Sequence, residues 1–382
     1  WVPDWNMLRC VLIYKGSGKP LDKMKSWRSI MLMHALASIL AGILQRRIQS
    51  VSERCGMEPQ CAFRRDRGSF DAIHVRDLAI RKRQEHGHTT WVLYIDWCVA
   101  YDSVNHAVLW RVLEKFGFPP HFLQILRRFY TGLTFKVEYQ GGEPAVISYT
   151  SGVKQGCRTS PDLWNFIIQA IFEVAQPAFV GKLSFQTDFR SSAAPGGTRW
   201  QNQGSLPEGF ALSHVVQADD TSLMAVSRPS LIHNAIVLNC IAELFGTKLH
   251  AGRGGEASKT FGTAYPGAGV VDALVLSDIR LPDGGRLPFL STPTRYLGVH
   301  TDSSFRSCVS INVKLTQASM KFGALAASIF RNRRVSQAAK RRVYLSMVLS
   351  TLLFGSHVWV PTAADWRRLE NFHHEKVRIM AG

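Results

Sequence analysis

Asp96, Asp219 and Asp220 are the residues of this chain best suited to carry chemistry. Each borders an apolar run of strand character. Trp91-Val92-Leu93-Tyr94-Ile95 ends at Asp96, and Val215-Val216 leads through Gln217-Ala218 into Asp219-Asp220, with Leu223-Met224-Ala225-Val226 beyond. A strand ending in one carboxylate, beside a tight turn carrying two more, gathers three anions at one sheet edge. Such anions repel one another and resist desolvation, so they require cations. Hard divalent ions take oxygen ligands, and two of them can drive an in-line phosphoryl displacement. Taken singly, each aspartate also fits a solvated turn, where Asp is common.

Two further stretches carry polar groups at useful places. Tyr101 follows Asp96 by five residues, where a ring can lie over a bound sugar, and Asp102 is placed to cap the next helix. In Gly152-Val153-Lys154-Gln155-Gly156, Gly156 allows close backbone approach to a flat ligand and Gln155 offers both donor and acceptor. Ser160-Pro161 suits a helix start.

The elements that must position these groups follow from periodicity. Residues 1–90 read as mostly helical and basic, with Leu36, Ile39, Leu40, Ile43 and Leu44 forming a stripe within a buried helix over Ile30 to Leu44. That apolar stretch is too short to span a bilayer. A strand is expected over 91–97, then helices over roughly 107–130 broken at Gly117-Phe118-Pro119-Pro120. Phe135 to Tyr139, Gly141-Gly142 and Val146 to Tyr149 read as a hairpin, and a helix is expected after Pro161. Residues 181–212, rich in Gly, Ser, Gln and Arg, read as a surface insertion. A helix over 230–246, short strands over 261–300 with a turn at Pro282 to Gly285, and helices from about 311 complete the chain. Helices, a mixed sheet and a helical end make the fold class α+β.

Composition narrows the partners. The 382 residues suffice for two or three domains, and 46% are hydrophobic, which excludes a disordered chain. The net charge of +18, from 46 Lys and Arg against 28 Asp and Glu, points to a polyanion such as nucleic acid. The cysteines, at 10, 55, 61, 98, 157, 240 and 308, are odd in number and form no close pair. That argues against a disulfide framework or a zinc site and for a reducing compartment.

Taken in order, these pieces resemble the reverse transcriptases of non-LTR (long-interspersed-element type) retrotransposons. Trp27 to Ile30 is similar to the family's leading segment, and Gln60-Cys61-Ala62-Phe63-Arg64-Arg65-Asp66-Arg67-Gly68-Ser69 to its basic finger motif. Asp96 to His106, Gln155-Gly156-Cys157 with Ser160-Pro161, and Ala218-Asp219-Asp220 match the first, second and third catalytic motifs. Ser258-Lys259-Thr260 resembles the fourth, and Tyr296-Leu297-Gly298 the primer-gripping turn. Gln217, Ser29, Asp162 and Ala62 depart from the family pattern, Asp162 standing where an apolar residue is usual.

The resemblance implies a right-hand polymerase with fingers over 1–90, a palm over 91–300 and a helical thumb over 301–382, the palm carrying a fingers hairpin at about 131–150. It covers a polymerase core alone, without the endonuclease or Cys/His module the family often carries. It implies two Mg²⁺ ions, or Mn²⁺, on Asp96, Asp219 and Asp220. Tyr101 would exclude a 2′-hydroxyl, and Gln155 and Gly156 would line the nucleotide and template pocket. One of Arg64, Arg65 and Arg67 would clamp the triphosphate, and Lys259 would protonate pyrophosphate. Tyr296, Leu297 and Gly298 would hold the primer. The expected partners are an RNA template, a DNA primer and dNTPs, with no membrane, in a nuclear and cytoplasmic ribonucleoprotein. A polymerase-shaped nucleic-acid binder without catalysis is the rival reading. A template-independent nucleotidyl transferase or cyclase fits the Gln155-Gly156 loop and the basic C-terminal helices less well.

Overall fold

The computed structural model describes residues 3–16, 18, 20–137, 145–185, 210–267, 277–291 and 293–381. The first ninety residues contain two strands that helical periodicity did not anticipate. Met7–Tyr14 (β1) and Trp27–Leu32 (β2) pair antiparallel, from Tyr14↔Trp27 to Arg9↔Leu32. A short apolar run is ambiguous between helix and strand. In β1 the alternation decides it: Leu8 and Cys10 are buried while Met7 and Val11 are exposed. Ile30 to Leu32 therefore belong to β2, and the helix begins later, as Ala35–Cys55 (α1). Its buried face is Ala37, Ala41, Leu44 and Ile48, whereas Leu36, Ile39 and Ile43 face outward. The expected stripe is thus only partly the packing face. Small alanines let α1 approach its neighbours closely, which the larger residues prevent. Ser69–Glu85 (α2) follows.

Thr90–Ile95 (β3) is buried along its whole length, as a central strand covered on both faces must be. Next come His106–Lys115 (α3) and Pro120–Arg128 (α4), separated where Gly117 to Pro120 were expected to break the helix. Thr134–Val137 (β4) and Ala145–Ser148 (β5) form the expected hairpin. Its proposed turn at Gly141-Gly142, with Glu138 and Tyr139, lies outside the described residues. β4 also pairs parallel with β1, giving a sheet ordered β2-β1-β4-β5. Ser160–Ala175 (α5) starts with Pro161 in its first turn, as expected, and is buried nearly all round.

The segment read as an insertion is framed by a short ladder of Leu183–Phe185 (β6) and Phe210–Leu212 (β7); residues 186–209 lie outside the described residues. His214–Gln217 (β8) and Asp220–Ala225 (β9) form the carboxylate hairpin. Arg228–Leu244 (α6) follows, and Phe261–Tyr265 (β10) completes the central antiparallel sheet, ordered β10-β3-β9-β8. Period-two alternation splits its side chains. Leu93, Ile95, Leu223 and Ala225 pack with α5 and α6, while Val92, Tyr94, Val215 and Met224 pack with Ala72, Ile73 and Ile80 of α2.

Two small hairpins follow, Ile279–Arg280 (β11) with Arg286–Leu287 (β12), and Thr294–Tyr296 (β13) with Val299–Thr301 (β14). The C-terminal part is helical from Ser307–Leu325 (α7) through Gln337–Val343 (α8), Ser350–Leu352 (α9) and Ala363–Ala381 (α10). It has its own core of Ile311, Ala318, Phe322, Phe330, Tyr344, Val348, Leu369 and Phe372. The cysteines are all free thiols, and no described helix is long and apolar enough to cross a membrane.

Candidate active site

The three aspartates reach one edge of the central sheet. The last register pair between β3 and β9 is Ile95↔Thr221. One step further on each strand lie Asp96 and Asp220, so antiparallel geometry sets them opposite each other, about 5 Å apart between Cα atoms. Side chains directly across such a ladder point to the same face. The pair Gln217↔Asp220 closes β8 and β9 around a two-residue turn, Ala218-Asp219. Ala218 takes φ +60°, the left-handed conformation that a type II′ turn requires at its first central position and that usually selects glycine. Both peptide groups of Ala218 are held by side chains: its N–H donates to Gln60 Oε1 (3.3 Å), and its carbonyl accepts from Trp164 Nε1 (3.1 Å). The backbone of Asp96 is held too, its N–H donating to Thr260 Oγ1 (3.1 Å) and its carbonyl accepting from His250 N–H (2.8 Å).

Charge at this edge is undercompensated. Surrounding protein displaces water from Asp219 and Asp220, although both side chains still reach solvent at the sheet edge. Desolvation, then repulsion by Asp219 and Asp96, pushes Asp220 up to about 6. Asp219 is raised mainly by desolvation and also by Asp96, against the pull of its own backbone N–H, Arg28 and Lys259. Lys259 Nζ lies 3.2 Å from Asp96 Oδ2 at an exposed position. The donors are hard carboxylate oxygens, which suit a divalent cation. Among the described residues no three His, Cys, Asp or Glu side chains are gathered closely enough to chelate one unaided. Asp96 is meanwhile engaged by Lys259. The fit is therefore one of donor chemistry and shared edge, without a preassembled cage.

Tyr101 stacks on Trp164, with ring centroids 5.9 Å apart and planes 23° apart. Burial first, then Asp219 and Asp162, raise its phenol well above the ordinary value. Gln155 Nε2 donates to Asp102 Oδ2 (3.1 Å), and the Gln155 carbonyl accepts from Met31 N–H (2.8 Å). One expectation is corrected here. Asp102 does not cap α3; Asn105 does, its side chain accepting from the N–H groups of Ala107 and Val108. Gly156, at φ +105°, is required for close approach to the β2 backbone, since a Cβ there would lie 3.0 Å from the Met31 carbonyl.

The basic finger segment is largely occupied with itself. The Arg64 side chain is covered and donates to the Met57 carbonyl (2.8 Å). Arg67 bonds both the carbonyl and the carboxylate of Glu58 (2.6 Å each). Arg65 is the most exposed of the three, its side chain 86% exposed and paired with the equally exposed Asp66 at 3.5 Å. In the β13–β14 hairpin, Leu297 (φ +47°) and Gly298 (φ +81°) form a two-residue turn with both central residues left-handed, the type I′ pattern. Tyr296 is a core anchor, packed 4.8 Å under the Arg76 guanidinium and 5.1 Å from Tyr94. The adjacent Arg295 pulls on Asp220 electrostatically.

Four contributors escaped the sequence reading as site residues: Gln60, Trp164, Arg28 and Arg295. Gln60 and Arg28 lie within the finger motif and the leading segment, but nothing local marks a buried glutamine as the partner of a turn 158 residues away.

Residues 13–300 match the family model described as reverse transcriptase (RNA-dependent DNA polymerase). The chain is 24% identical over 376 residues to a putative 115 kDa protein of the retrotransposable element R1DM of Drosophila melanogaster, covering 96% of this chain and 32% of that protein. It is 27% identical to a retrovirus-related Pol polyprotein of the type-1 retrotransposable element R2 of Popillia japonica, covering 44% of this chain and 23% of that one. A 149 kDa protein of transposon TX1 of Xenopus laevis is 26% identical, with 48% and 14% covered. The chain thus spans a minor part of the length of these relatives. A telomerase from Candida albicans, solved with a fragment of telomeric RNA, superposes with a TM-score of 0.48 at 12% identity, over 98% of this chain and 59% of that one.

Proposed function

The chain belongs to the reverse transcriptase (RNA-dependent DNA polymerase) family, and from that premise we propose that it is the RNA-directed DNA polymerase of a non-LTR retrotransposon, extending a primer 3′ end with dNTPs on an RNA template. The observation that carries this reading is the register that sets Asp96 opposite Asp220, beside the Ala218-Asp219 turn. Family membership implies a divalent metal. Asp96, Asp219 and Asp220 would hold it, as two Mg²⁺ ions with Mn²⁺ as the alternative. Bound there, such ions supply the Lewis acidity that activates a primer hydroxyl and neutralises a triphosphate.

The chain's own residues do the positioning. Tyr101, stacked on Trp164, would form the wall beside the nucleotide sugar that excludes a 2′-hydroxyl. Gln155, held by Asp102 and by Met31, lines the nucleotide pocket together with Gly156. Arg65 is the member of the finger cluster free to meet phosphate oxygens, whereas Arg64 and Arg67 shape the loop that presents it. Lys259, whose ammonium lies beside Asp96, would give a proton to departing pyrophosphate. The β13–β14 turn offers a primer its backbone at Leu297 and Gly298, with Tyr296 as its anchor. Residues 1–90 act as fingers, 91–300 as palm and 301–382 as thumb. The exposed Arg331, Arg334, Arg341 and Arg342 bear on duplex phosphates without reading bases.

The test is primer extension on an RNA template with dNTPs and Mg²⁺, comparing the intact chain with Asp219→Asn. Metal-dependent extension by the intact chain, lost in the variant, is expected. Salt-sensitive duplex binding with no incorporation under any metal would replace the polymerase reading with that of a nucleic-acid binder.

A further inference from the structure

Gln60 is buried at 2% exposure, directly before the basic finger loop and directly behind the carboxylate turn. Its side-chain oxygen accepts two backbone N–H groups, from Ala62 (2.8 Å) and from Ala218 (3.3 Å). A backbone N–H can only donate, so the orientation of the Gln60 amide is fixed by its partners. Its nitrogen then donates to Asn165 Oδ1 (3.1 Å), and Asn165 Nδ2 donates to the Ala62 carbonyl (3.0 Å). The surrounding backbone repeats the connection: Cys61 N–H donates to the Val216 carbonyl, and Val216 N–H to the Pro59 carbonyl, both at 2.9 Å. One side-chain atom thus joins the segment carrying Arg64, Arg65 and Arg67 to the residue immediately before Asp219.

Ala218 needs that support. An alanine in the left-handed region is strained, and such strain persists only where neighbouring structure overdetermines it. Here the Gln60 oxygen holds one side of the residue and the Trp164 indole the other. We propose that Gln60 is a positioning residue for the polymerase site: it holds Ala218 in its left-handed turn, and so sets the place of Asp219, while tying that placement to the finger loop. This rests on the polymerase reading above. It adds that the buried Gln60 amide extends the Cys61–Val216 backbone pairing to Ala218, so that the carboxylate turn and the finger loop keep register.

Three variants test it: Gln60→Met, which conserves volume without hydrogen bonds; Gln60→Asn, which stays polar but is one methylene too short to reach Ala218; and Gln60→Met with Ala218→Gly. Hydrogen exchange at the Ala218 amide is read first, because it needs neither metal nor turnover. It should accelerate at least about tenfold in both single variants, while the Leu223 and Met224 amides of the same hairpin stay protected. Where the parent extends primers, the incorporation rate should fall about 10- to 100-fold, with primer–template affinity changed less than about twofold. Mn²⁺ binding followed by electron paramagnetic resonance should weaken in parallel. Glycine removes the cost of the left-handed turn, so Ala218→Gly should restore part of the lost rate. If Gln60→Met does not fold, Gln60→Asn carries each of these readings. Ala218 exchange as slow in the variants as in the parent, or rate loss matched by equal losses of melting temperature and duplex affinity without glycine rescue, overturns the proposal. A parent that never extends a primer counts against the polymerase reading, and the exchange measurement still decides the role of Gln60.

Discussion

Asp162 lies in the first turn of α5 with no solvent exposure, and neither carboxyl oxygen has a hydrogen-bond partner in good geometry. Desolvation dominates its titration, with Glu53 adding repulsion and the Gln45 amide offsetting only part, so the group is pushed up to about 7 from 3.8. Each tenfold change in acidity is worth about 1.4 kcal/mol, which puts the cost of ionising this buried carboxyl at about 4 kcal/mol. The sign follows from proton linkage. Between about pH 4 and 7 the unfolded chain has released this proton while the folded chain keeps it, so stability falls as pH rises through that window. Asp162→Asn keeps the shape and removes the titration. Unpaired buried amide has a cost of its own, but that cost does not vary with pH. The gap in unfolding free energy between variant and parent should therefore move in the variant's favour by about 2–3 kcal/mol from pH 5 to pH 8. For a chain of this length that corresponds to about 3 °C in melting temperature. Urea unfolding followed by tryptophan fluorescence, at both pH values and without divalent ions, measures it. Asp219 and Asp220 titrate in both proteins and cancel. A gap that stays constant, or that shrinks as pH rises, would refute the reasoning and mean that Asp162 finds a partner.

Arg76 is fully buried and bonds Asp77, the Tyr94 hydroxyl and the Thr301 hydroxyl, so Arg76→Met strands Asp77 and should cost about 3–5 kcal/mol in denaturant unfolding. Lys259 and Asp96 are both accessible, so Lys259→Gln should change stability by less than about 1 kcal/mol while lowering single-turnover incorporation about 10²-fold or more. Tyr101→Ala opens space beside Trp164, and competition between rNTPs and dNTPs should show ribonucleotide use rising about 10- to 200-fold, with unchanged discrimination refuting the wall.

Much of the site was legible because its signals are local. An unbroken apolar run such as Trp91 to Ile95 reads as a strand covered on both faces, and its end puts Asp96 at an edge. Apolar flanks around Ala218-Asp219 read as a hairpin, and Ser160-Pro161 as a helix start; the structure has both. The ordered motifs then implied a polymerase, and the family match over 13–300 agrees. The helical expectation for residues 1–90 failed at β1 and β2, because a short apolar run satisfies either period until a partner strand exists.

The remainder turned on contacts between residues far apart in the chain. Asn105 rather than Asp102 caps α3, because the helix starts at His106 and Asn105 stands directly before it, while Asp102 accepts from Gln155. Arg64 turns inward onto the Met57 carbonyl and Arg67 is tied down by Glu58 at the surface, which leaves Arg65 as the most exposed of the three. Residue types and their spacing determined that this chain places carboxylates at the edge of a sheet. Which side chains steady those carboxylates, and which basic groups stay free to face a phosphate, was decided only when strands and helices distant in the chain packed together. A buried hydrogen bond needs both of its partners in place, and no stretch of sequence carries the two at once.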